Sequence, residues 1–81
     1  MDVREYLCVV ADFLPDGSVR PVSVRLADGP AYAVSRVISV VDLASTGGGG
    51  SGFRFRVIVG GRVDDLFFEV SVGRKASRWY R

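Results

Sequence analysis

Residues 53–72 read FRFRVIVGGRVDDLFFEVSV. Two runs of alternating apolar and polar residues flank Gly60-Gly61, a pattern that predicts a β-hairpin closed by a two-residue type I′ turn. Both central residues of such a turn need positive φ, which glycine adopts without a Cβ clash. The turn sets the register, with Val59 opposite Arg62, Arg56 opposite Asp65 and Phe55 opposite Leu66. One face then gathers Phe53, Phe55, Val57, Val59, Leu66 and Phe68 into an apolar sheet surface. The other carries Arg54, Arg56 and Ile58 against Phe67, Asp65 and Val63. On it, Arg56 and Asp65 make a cross-strand ion pair and Arg54 lies over the Phe67 ring. Asp64 falls on the apolar side near the turn, exposed at the hairpin tip.

The same pattern of strands and turns continues toward the N-terminus. Tyr6 to Ala11 carries no charge and predicts a strand covered on both faces, with Cys8 buried in it. Pro15-Asp16-Gly17-Ser18 is a turn. Val19 to Leu26 alternates, with Val22, Val24 and Leu26 inward, and Pro21 lacks an amide donor and so marks an edge or a bulge. Asp28-Gly29-Pro30 reverses the chain into a third strand, Tyr32 to Val41. In that strand Tyr32, Val34, Ile38 and Val40 are in phase, and a bulge near Arg36 turns the charge outward and Val37 inward. The favoured register there sets Leu26 against Tyr32 and Val24 against Val34.

Residues 47–52 form a glycine-rich loop. It does not have the Gly-Lys-Ser/Thr ending of a phosphate-binding loop, and a strand follows it rather than a helix. Its Gly-Gly-Gly-Gly-Ser run has the composition of an engineered linker and equally of a natural loop between strands. Beyond the central hairpin, Gly73 to Ser77 is a basic turn. Arg78-Trp79-Tyr80-Arg81 forms a short last strand with Trp79 inward and Tyr80 outward. No window shows a sustained helical period. Residues 1–81 therefore read as one small all-β domain: an antiparallel β-barrel of five to six strands, with a two-layer sandwich as the alternative.

Composition narrows the chemistry. The chain has 81 residues, 48% of them hydrophobic, a net charge of +2, one cysteine and no histidine. Acid–base catalysis near neutrality needs a histidine or a displaced carboxylate, and most carboxylates here sit at turns. Asp64 and Asp65 are neighbours in a strand and point to opposite faces, so they form no dyad. Neither a metal site nor a cofactor site is indicated, and the chain reads as a non-enzyme. The absence of a signal segment or a membrane-length apolar run gives a cytoplasmic protein, without membrane association, as the expectation.

Two binding readings follow. In the first, surplus apolar surface and the Pro21 edge suit an interaction module that joins a protein partner, or a second copy of itself, through a sheet edge. In the second, Arg74, Lys75, Arg78 and Tyr80, extended by Arg54 and Arg56, form a basic and aromatic patch suited to single-stranded nucleic acid. For these residues the alternative is structural: Trp79 closes the core and the arginines solubilise the chain end.

Several short elements follow one another along the chain. They are Asp16-Gly17-x-x-Arg20-Pro21, Asp28-Gly29-x-x-Tyr32, Arg36-Val37, Ala44-Ser45, Phe53-Arg54-Phe55, Leu66-Phe67-Phe68-Glu69 and Arg78-Trp79-Tyr80. In this order the chain resembles a family of short uncharacterised bacterial proteins. The resemblance covers most of the chain and implies a single small β domain with no assigned activity, cofactor or site. Extra glycines after Thr46 and a longer stretch between Glu69 and Trp79 depart from it, both in predicted loops.

Overall fold

The computed structural model describes residues 4–26, 28–43, 51–71 and 76–81. Six strands follow one another in chain order: β1 (Tyr6–Phe13), β2 (Val19–Leu26), β3 (Ala31–Asp42), β4 (Ser51–Val59), β5 (Arg62–Ser71) and β6 (Ala76–Tyr80). Each pairs antiparallel with the next, and β6 returns to β1 to close a barrel. No helix among the described residues is long and apolar enough to cross a membrane.

The β4–β5 hairpin has the register that its diglycine turn requires. Val59 faces Arg62, Arg56 faces Asp65 and Phe55 faces Leu66. Gly60 and Gly61 have φ of 58° and 76°, the left-handed values of a type I′ turn. The inner face of this hairpin supplies most of the core. Phe55, Val57, Leu66 and Phe68 are buried with Val24 and Trp79, and partly buried residues such as Leu7, Val9, Val34 and Val37 pack around them. Trp79 stands between Phe55 and Phe68, with ring centroids 5.3 and 4.8 Å away. It is the inward residue of β6, as the alternation of that strand predicts.

Gly52 lies within β4, opposite Glu69, rather than in the preceding loop. A Cβ there would come within 2.6 Å of the Phe68 carbonyl oxygen, so the ladder at this point accepts only glycine. At the other reversal, Leu14 and Ser18 bracket a turn in which Asp16 accepts hydrogen bonds from both the amide and the hydroxyl of Ser18.

Five further sequence expectations are corrected. Asp64 is half-buried in the ladder opposite Val57 and pairs with Arg81 at 3.2 Å, rather than standing exposed at the hairpin tip. Cys8 is exposed, because β1 is covered on one face only: Leu7, Val9 and Ala11 turn toward the core and the thiol turns out, where it meets Arg25 at 3.3 Å. Val22 is exposed, because a bulge between Val10 and Ala11 puts Pro21 inward in its place. The β2–β3 register sets Val24 against Tyr32, two residues from the expected pairing, which leaves the faces unchanged. Ile38 is exposed because β3 carries a second irregularity between Val37 and Ser39 besides the one near Arg36.

Candidate interaction surfaces

The predicted patch residues fall on the outer wall, which the ladders arrange into rows. Directly opposite residues share a face, so Val41, Arg54, Phe67, Tyr80 and Tyr6 form one continuous outward row across β3, β4, β5, β6 and β1. Phe67 and Tyr80 stack at 5.1 Å and 9°, and Tyr6 meets Tyr80 edge-on at 6.0 Å. Arg54, Arg78 and Tyr80 thus lie on one wall, with Arg56 in the neighbouring row. Arg74 and Lys75 lie outside the described residues.

This wall is largely self-satisfied. Arg56 makes a forked contact to Asp65 at 3.0 and 3.3 Å. Glu69 binds Arg4 at 3.0 Å and Arg78 at 3.1 Å. These same arginines cover aromatic faces, Arg4 over Tyr80 at 4.4 Å and Arg78 over Tyr6 at 4.5 Å. Hydrogen bonds from Arg4 and Arg78 hold the Glu69 carboxyl below its ordinary range, and that from Arg56 does the same for Asp65. Arg56, Arg78 and the rings of Tyr6 and Tyr80, which would grip a nucleic acid, are thus engaged within the wall. Arg4, Tyr6, Phe67 and Glu69 join the patch without having been read as site residues. Phe67 and Glu69 follow from extending the hairpin register to β6. Arg4 and Tyr6 depend on barrel closure, which joins positions 65 residues apart in the chain.

A second surface is the side of β3. It pairs with β4 from Val34 to Asp42, but with β2 only through Ala31, Tyr32 and Ala33. Beyond Ser23, the β2 strand reaches the bulge at Val22 and then Pro21, which has no amide to give to a ladder. Among the described residues, β3 from Val34 to Val41 therefore has a ladder partner on one side only. Its side chains are correspondingly open: Ile38, Val40 and Val41 keep 44%, 52% and 38% of their surface. Arg36 is the single charged residue in that stretch.

Among the described residues no cluster of histidine, cysteine and carboxylate is placed to hold a metal ion. Comparison with protein-family models, with curated proteins and with solved structures gave no match for this chain.

Proposed function

We propose that this barrel is a non-catalytic interaction module that takes an extended polypeptide strand, from a second copy or another protein, onto the edge of β3 between Val34 and Val41. The observation that carries the reading is the one-sided ladder of β3, together with three half-exposed aliphatic side chains along it. A one-sided ladder presents backbone donors and acceptors to any extended chain, and flanking side chains then select among partners. The bulges at Ser35 and Ile38 make the edge irregular, which favours a matched strand over indiscriminate pairing.

Sedimentation from micromolar to millimolar protein, combined with amide exchange, tests this. Association should slow exchange at Val37 to Val41, and Val41→Lys should abolish both effects. A monomer at every concentration, with no strand-forming partner that protects these amides, would sink the reading.

A second reading, single-stranded nucleic-acid binding across Arg54, Phe67, Tyr80 and Arg78, has one observation in its favour: these residues share one wall. It requires the Glu69 and Asp65 ion pairs to open. Absence of oligonucleotide binding at low salt would remove it.

A further inference from the structure

At the end of the barrel that holds the β2–β3 and β4–β5 turns lies a cavity of about 460 Å³ that is open to solvent on one side. That size falls within the range of about 300–1,000 Å³ typical of small-molecule sites. Its floor is apolar and fixed, since Val24 and Leu66 are core residues with 7% and 1% of their surface exposed. Tyr32 stands on one side. It is opposite Val24 in the ladder, and its ring lies against Gly60, where a Cβ would sit 3.4 Å from the ring edge. The ring is thereby held in place while nearly half of the residue stays open.

Three charged residues line the cavity: Arg62, Asp64 and Arg81. Two of them are occupied with each other. Asp64 accepts Arg81 through Oδ2 at 3.2 Å and the Asp65 amide through Oδ1, while Arg81 also holds Glu5 at 3.2 Å. Arg62 has no ion pair among the described residues, and it faces the same side as its ladder partner Val59, another lining residue. Arg81 is thus shared between two carboxylates, and Arg62 is the lining cation that has no carboxylate partner among the described residues.

We infer that this cavity is a binding site for a small aromatic carboxylate, a use separate from the strand edge of β3 and not dependent on it. The flat apolar body rests on Val24 and Leu66 beside the Tyr32 ring, and the carboxylate takes the fork of Arg62. A monoanion fits the single uncompensated cation. A dianionic phosphate would bring a second charge toward Asp64, with no further unpaired cation among the lining residues to meet it. Burying an anion is favourable only where it is paired, and Arg62 supplies the pair beside the apolar floor.

The test is a titration followed by backbone amide NMR, using 2-naphthoate and its neutral analogue 2-naphthamide as probes at low salt. Naphthoate should give saturable shifts centred on Tyr32, Gly60, Arg62 and Leu66, and should bind about tenfold more tightly than the amide because a charge-assisted hydrogen bond is at stake. Arg62→Gln, a change at an exposed position, should reduce naphthoate to the affinity of naphthamide and leave naphthamide unaffected. Tyr32→Ala should weaken both probes. Absence of saturation at millimolar naphthoate, shifts centred on another face, or equal naphthoate binding by Arg62→Gln would each overturn the assignment.

Discussion

β3 and β4 are neighbours in one sheet, yet they are built differently. All nine residues of β4 pair with β5 without interruption, and its inward Phe55 and Val57 are essentially closed to solvent. β3 meets β4 with two breaks in register, meets β2 over three residues, and buries no side chain completely. The difference arises in the residue pattern. β4 alternates from Phe53 to Val57 and leads into a turn that admits one register, so its inward positions reach the same core. β3 places Arg36 in its apolar phase, and each bulge that corrects the phase removes a residue from the ladder. Stability and the proposed binding are thereby assigned to different strands: the hairpin holds the fold, and among the described residues the strand beside it has a ladder partner on one side only from Val34 to Val41.

The separation can be broken most severely at its strong side. Leu66→Ala deletes a side chain that is 1% exposed. It should cost about 2–5 kcal/mol, a large part of the roughly 4–12 kcal/mol expected of a domain this size. Val40→Ala, at a position 52% exposed, should cost under about 1 kcal/mol. Urea unfolding of the two variants measures both, and equal losses would erase the contrast between the strands. Gly52→Ala is the next largest. Its Cβ would approach the Phe68 carbonyl oxygen, a backbone atom that moves only if the β4–β5 ladder opens. A loss of about 1–3 kcal/mol is expected, in line with overpacked sites, together with faster amide exchange at the Ser51 end of β4 than at the Val59 end.

How far the sequence could be read follows the same division. The hairpin register, the Arg56–Asp65 pair, the inward Trp79 and the strands themselves were legible, because each depends on alternation and turn chemistry within about twenty residues. The barrel was expected only from the number and shortness of the strands, with a two-layer sandwich as the alternative, because its closing pairs lie at opposite ends of the chain. The bulge at Arg36 was legible from a charge in an apolar phase. The one at Ile38 was not, since an apolar residue gives no local sign of which face it takes. Cys8 was misjudged because an uncharged run looks alike whether it has one covered face or two. Of the outer wall, Arg54, Arg78 and Tyr80 could be placed together, but their engagement with Arg4, Tyr6 and Glu69 depends on β6 closing against β1. The cavity beside Arg62 was not visible at all, since it is lined by residues of β2, β3, β4 and β5 together with Gly60 and Arg81, which only the folded barrel brings together.

The smallest expected effect concerns that closure. Among the described residues, β1 and β6 share the pairs Tyr6–Tyr80 and Leu7–Trp79, extended by reciprocal backbone bonds between Glu5 and Arg81. Glu69 reinforces this seam from outside by binding Arg4 and Arg78 together, whereas Asp65 braces a hairpin that its turn already fixes. Both carboxyls have folded-state pKa values below their unfolded ones, through hydrogen bonds from these arginines. Each therefore stabilises the fold fully above the unfolded carboxylate pKa of about 4, and the contribution is lost as pH falls through the lowered folded value. Melting temperature should be level from neutrality to about pH 5 and decline below about pH 4.5. Exposed pairs are weak, so the decline is shallow and is reduced further by salt. Amide exchange at Leu7 and Trp79 should quicken over the acid range before exchange at Val57 does, and Glu69→Gln should remove that early phase while Asp65→Asn leaves it in place. Simultaneous loss of protection at Leu7 and Val57 would mean that the seam and the hairpin open as one unit, and that the strength of the β4–β5 ladder extends around the whole barrel.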